Sequence, residues 1–216
     1  MICVFVIIKR KTIHIVKVCV TMQLTQGDFL SLIFILTIWY AFNPTPQTFS
    51  PPGGGEKNKL SEKRYIMALS KLPPGALFGI MWFILYGLIS LSLFYFWREA
   101  HTSSQYTVTL LLFIANLFTN KLYTPIFFGL RSPVGGMVVL VLTIISAGFI
   151  LLYIGLILGA ASASFWLFVP YMVWLLVALG LHIKFLSDYN AFSDEEITSI
   201  ILKESSSLAT KTINFD

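Results

Sequence analysis

Charge is scarce in this chain. Asp, Glu, Lys and Arg make up 12% of its 216 residues, about half of the ~25% carried by an ordinary soluble domain, which excludes a single water-soluble core. Cysteine is scarcer: Cys3 and Cys19 both lie near the N-terminus, so neither a disulfide framework nor a clustered thiolate metal site can be built from them. The patterns GxSxG, HExxH and GxxxxGK[ST] are missing, as are paired carboxylates within apolar runs, so the familiar hydrolase, metalloprotease and nucleotide-binding chemistries have no residues to use. Histidine is nearly absent from the apolar runs. Only His182 lies in one, and a six-coordinate haem site normally takes two axial groups, so it is read as a hydrogen-bonded residue near a helix end. The net charge of +5 does not signal nucleic acid, because the basic residues flank apolar runs and are not interleaved with aromatics on a soluble module.

What the chain has in abundance is apolar surface, at 56% hydrophobic residues and a mean hydropathy of +0.80. A hydrocarbon layer of about 30 Å needs roughly 20 apolar residues per helical span. Gly75 to Trp97 and Val134 to Leu158 contain no charged residue, Tyr106 to Phe128 contains Lys121 alone, and Ser164 to Leu186 contains Lys184 alone. Each is long enough to cross. A fifth candidate runs from Leu24 to Asn43, with a strictly apolar part from Phe29 to Phe42; Asp28 would sit in its first turn, and Asn43, Pro44 and Pro46 stop it. The expected fold is therefore an all-α integral membrane bundle with helices at about 24–43, 75–97, 106–128, 134–158 and 164–186, the first crossing resting on the weakest signal.

Three segments lie outside these crossings. Residues 1–21 form an N-terminal extension whose apolar part precedes its basic part, the reverse of a secretory signal, with Met22 as an alternative start. The connector 43–74 opens on proline and glycine (Pro44, Pro46, Pro51, Pro52, Gly53 to Gly55) and continues into a charged stretch, Glu56 to Arg64, expected to form a short surface helix; a connection this long in a compact protein reads as a lid. Residues 191–216 read as a polar tail, helical in part. With five crossings, the connector lysines, Arg131 and the tail share one face, while Arg98 and the basic cluster at 9–17 take the other. Four crossings would gather nearly all Lys and Arg on one side, as the positive-inside rule prefers.

The helical period then selects faces. Phe78, Trp82 and Tyr86 recur every fourth residue and stack on one side of their helix, with Trp82 deeper than the interfacial belt where tryptophan normally sits. Tyr171, Trp174, Ala178 and His182 share a face of the last helix, below a kink expected near Pro170. Asn116 and Asn120 stack together with Tyr123 and Phe127, while Lys121 points about 100° away. The simpler readings are helix packing for the aromatic stripes, interhelical hydrogen bonds for the amides, and a Lys121 amine drawn along its stem toward the first-loop side.

These residues resemble the TspO/MBR family, the tryptophan-rich sensory or translocator proteins. Pro73-Pro-Gly-Ala-Leu-Phe-Gly-Ile-Met-Trp82-Phe-Ile-Leu-Tyr86 is similar to the family's PPGxxFGxxWxxLY signature, and Val169-Pro-Tyr-Met-Val-Trp174-Leu-Leu-Val-Ala178 to its PYxxWxxxA signature. Asn120-Lys-Leu-Tyr-Thr-Pro-Ile-Phe-Phe-Gly-Leu-Arg131 is similar to the segment that ends the third helix. The chain departs at Tyr123, where members usually carry Trp, at His182 and Ala76, and before the double proline, where Lys71-Leu72 replaces a frequent tryptophan. The resemblance implies five helices, often a homodimer, and a pocket for porphyrins and isoquinoline or benzodiazepine-type compounds that opens toward the first loop. It maps the family's pocket onto Trp82, Asn116, Asn120, Tyr171, Trp174 and Ala178; the helical face of Trp82 adds Phe78 and Tyr86 as ligand-binding candidates, and Lys121 or the first-loop lysines would pair with anionic groups such as propionates. No metal, catalytic residue or required cofactor is expected; protoporphyrin IX or haem would be a ligand, with sterol and membrane lipid as further partners. The function implied is that of a membrane receptor or carrier for tetrapyrroles, in a bacterial envelope membrane or a mitochondrial outer membrane. The alternatives are light-dependent porphyrin breakdown and sterol or small-molecule transport.

Overall fold

The computed structural model describes residues 2–7, 15–20, 35–40, 56–99 and 102–213. Ahead of the helices stands a short antiparallel ladder, β1 (Ile2–Ile7) and β2 (Ile15–Val20), rich in the β-branched residues that favour extended backbone. Its register sets Cys3 opposite Cys19. Residues 35–40, here α1, are helical; the rest of the candidate first crossing and the start of the connector fall outside the described residues.

The helices that follow are α2 (Glu56–Ser70), α3 (Gly75–Glu99), α4 (Ser103–Thr124), α5 (Pro133–Leu158), α6 (Ala163–Ala191) and α7 (Asp194–Ile213). Among the described residues four stretches, Gly75–Glu99, Ser103–Gly129, Pro133–Leu158 and Ala163–Ala191, are long and apolar enough to cross a membrane. Hydroxyl residues set the starts of three of them. Thr102 makes a reciprocal capping box with Gln105 before α4, Ser132 caps α5 with Pro133 behind it, and Ser162 caps α6, each supplying an acceptor to otherwise orphaned N–H groups of the first turn.

Apolar runs alone misplace several ends. The last crossing continues five residues past Leu186, to Ala191, with Asp188 of that extra turn paired to Lys71 and Lys184. The charged stretch from Glu56 extends as helix to Ser70, and the tail forms the single long helix α7. After Thr124 the third crossing changes pitch: Pro125–Gly129 is a π turn closed by the Leu130 N–H donating to the Pro125 carbonyl at 2.8 Å.

Packing joins α3 to α6, α6 to α5 and α5 to α4, with α2 laid against α6 and α7. The interior contains Leu85, Ile89, Phe96, Phe113, Ile150 and Phe168, all essentially inaccessible. Ser92 and Ser164 bring α3 and α6 close, each hydroxyl donating to the other's carbonyl at 2.8 Å, as small hydroxyl residues do between membrane helices. The outer faces carry exposed Phe83, Leu111, Phe118, Phe149, Leu152 and Leu156. A surface this apolar and continuous is stable only against lipid.

Candidate ligand-binding site

A cavity of about 840 Å³ opens between the end of the connector and helices α3 to α6, within the ~300–1,000 Å³ typical of small-molecule sites. The four-residue repeat of α3 brings Phe78, Trp82 and Tyr86 onto one wall; Trp174, Ala178 and His182 of α6 form another. The Phe78 ring meets Trp174 edge-on at 5.9 Å, and Trp82 leans on Tyr86 at 5.4 Å and on Tyr171 at 6.2 Å. Both indoles are part-buried on the hollow.

The polar wall is one directed chain of hydrogen bonds. Tyr86 donates to Asn120 Oδ1 at 3.0 Å, Asn120 Nδ2 donates to the Tyr171 hydroxyl at 3.2 Å, and Tyr171 donates to Asn116 Oδ1 at 3.0 Å. Asn116 Nδ2 then donates to the Thr143 carbonyl and to Ser146 Oγ. Asn120 and Tyr86 border the cavity. Asn116 and Tyr171, both at 0% exposure, stand behind it, and their donors are spent on holding α4, α5 and α6 together.

Two further residues depart from the simplest sequence reading. Lys121 does not reach for the first-loop side: it is 3% exposed, and its Nζ lies 4.0 Å from the centroid of the Tyr86 ring. The packed face of α4 is broad enough to include the position beside Asn120, so the stem is trapped before it can extend. His182 keeps the role expected for a helix-end histidine. Its Nε2 faces the Pro133 carbonyl at 2.9 Å and its Nδ1 the Tyr123 hydroxyl at 3.0 Å; since a carbonyl only accepts, Nε2 carries the hydrogen and Tyr123 donates to Nδ1. Neither nitrogen is left for a metal.

The mouth of the cavity is covered from α2. Leu69, Leu72 and Pro73 reach it, and the π turn delivers Phe127 and Phe128 from below. Tyr65 fastens the two parts, donating to the Phe127 carbonyl at 2.9 Å and packing on Phe127 and Phe185 at 5.5 and 5.2 Å. Burial, and secondarily Tyr123 nearby, push its phenol well above the ordinary tyrosine range against the opposing pull of Arg131, so it stays a donor. Around it lie ion pairs from α2 and the residue that follows it to three other segments: Glu62 with Arg131, Arg64 with Asp194, and Lys71 with Asp188. Arg131 sits at φ 50°, a left-handed backbone that costs a non-glycine residue roughly 1–2 kcal/mol and turns the chain sharply from the π turn into α5. Tyr65→Phe, which strands a buried carbonyl, is expected to destabilise the protein by about 1–3 kcal/mol. Arg131→Ala, which breaks a half-exposed pair and leaves φ strained, is expected to change stability by less than about 1 kcal/mol. Thermal melting of the two variants in the same detergent checks the order.

Sequence periodicity did not single out Leu72, Pro73 or Phe128 as lining residues; the signal lay in the PPG and FFG segments, whose turns cannot be read as helical faces. Those same segments lie inside the stretch that matches known proteins. The TspO/MBR family model matches residues 57–187. The chain belongs to the TspO/MBR family. Among its relatives, Protein CrtK of Rhodobacter capsulatus is 35% identical over 121 residues, covering 52% of this chain and 69% of CrtK. Tryptophan-rich protein TspO of Archaeoglobus fulgidus is 34% identical over 111 residues, covering 51% of this chain and 68% of that protein. Family membership and four apolar helices of spanning length make this TspO/MBR member a multi-pass integral membrane protein. The matched stretch contains every sequence-selected site residue from Phe78 to Ala178.

Proposed function

We propose that the protein is a membrane receptor or carrier for planar hydrophobic ligands, tetrapyrroles such as protoporphyrin IX foremost, which it holds in the cavity between α3 and α6. The observation that carries this reading is the hollow itself: about 840 Å³ inside the bundle with Trp82 and Trp174 on its walls. Indole faces offer a flat ring large stacking area, and Asn120 offers a polar edge. The family to which the chain belongs, and a relative named for its tryptophans, support the same reading.

We also take α1 as part of the first of five crossings. Trp39 is buried and stacked on Tyr86 at 5.5 Å, and Tyr40 donates to the Phe83 carbonyl at 2.6 Å.

Titrating the purified protein with protoporphyrin IX tests the binding reading. Saturable quenching of tryptophan fluorescence at one ligand per chain is the expected result. Quenching that rises without saturation, as for free tryptophan in the same detergent, would refute it. Uptake of protoporphyrin IX into sealed liposomes then separates a carrier from a receptor.

A further inference from the structure

Two buried side-chain groups beside the cavity have no hydrogen-bond partner among the described residues: Lys121 Nζ and Trp174 Nε1. Both can only donate. Trp174 borders the hollow directly, and Lys121 stands behind Tyr86, which also borders it. An ammonium in apolar surroundings without a counter-charge is among the costliest arrangements a membrane protein can hold, and the ring face of Tyr86 compensates only in part. Among the described residues the surrounding helices offer no remedy. From Gly75 to Ser187 the sole acidic residue is Glu99, at the end of α3 far from the cavity, and the ion pairs of the described residues use other cations.

Resting on the reading of the cavity as a site for planar ligands, we infer that the ligand supplies the missing acceptor: the site selects planar molecules that carry a carboxylate, and Lys121 is the residue that determines this selection. The four-carbon stem swings the ammonium past the edge of Tyr86 into the cavity, where it pairs with the carboxylate, while the Trp174 indole donates to a second acceptor on the ligand. An uncharged planar molecule of the same shape leaves the ammonium unpaired and binds more weakly.

The experiment compares protoporphyrin IX with its dimethyl ester on the full chain, by tryptophan quenching, for wild type, Lys121→Met and Lys121→Arg. Taking the ratio of the two affinities, and comparing it between variants, cancels the different partitioning of acid and ester into detergent. Wild type is expected to prefer the acid by about tenfold or more, Lys121→Met to lose that preference through weaker acid binding alone, and Lys121→Arg to keep it. An acid-to-ester ratio that is the same in wild type and Lys121→Met overturns the inference and leaves the cavity reading standing. Absence of saturable binding of both probes by wild type overturns the cavity reading itself.

Discussion

Alanine at both Trp82 and Trp174 is expected to lower the affinity for protoporphyrin IX by about a thousandfold. Stacking of a flat ring on an aromatic side chain is worth about 1–3 kcal/mol by alanine substitution, so two indoles at about 2 kcal/mol each reach three orders of magnitude, and each single variant loses roughly thirtyfold. The fold should survive. Trp174 Nε1 has no partner to lose among the described residues, and both rings border a cavity, so truncation enlarges an existing hollow and leaves the closed core intact. Trp166, exposed at 62% on the outer surface of α6, provides the control, and Trp166→Ala should bind as wild type does. Equilibrium titration together with a melting curve for each variant distinguishes lost binding from lost structure.

The second large effect is on stability. Gly136 lies in the first turn of α5, and a Cβ built there would stand 2.7 Å from Phe127 Cδ2 and 2.9 Å from His182 Cε1. Neither ring can retreat. Phe127 is enclosed by Tyr65, Tyr123 and Phe185, and His182 is tethered at both nitrogens. Overpacking of a filled core costs about 1–3 kcal/mol, so Gly136→Val is expected at the upper end, about 3 kcal/mol, or roughly 6–12 °C in melting temperature for a chain of this size. Because the displaced residues reach the cavity, binding should weaken in parallel. Gly180→Ala, where nothing lies within 4 Å of the added carbon, should melt at or above the wild-type temperature, since alanine is the better helix former. Equal melting of the two variants would mean that the π turn is not packed on α5 as described.

The parts of this molecule that could be read from its residues are those governed by one-dimensional rules. Apolar length located the four crossings, and the helical period placed Phe78, Trp82 and Tyr86 on one wall and Trp174 with Ala178 on another. Period cannot say how far behind a wall a residue stands. Asn116 shares a stripe with Asn120, yet one turn of helix separates an amide on the cavity from an amide sealed among α4, α5 and α6, and Tyr171 is sealed with it because its hydroxyl lies between the two. Lys121 was misread for a related reason: snorkelling assumes lipid or water around the stem, and the neighbouring Tyr86 ring is a contact between distant segments. The grip of α2 on α6, α7 and Arg131 likewise arises from pairings remote in sequence, which no local pattern announces.

An experimental structure of the protein saturated with protoporphyrin IX tests the central claim most directly. The account predicts the macrocycle inside the bundle, between the rings of Trp82 and Trp174, beneath Leu72 and Pro73. A macrocycle lodged against the lipid-facing residues of α4 or α5, with the two indoles collapsed into the space described as a cavity, would contradict it.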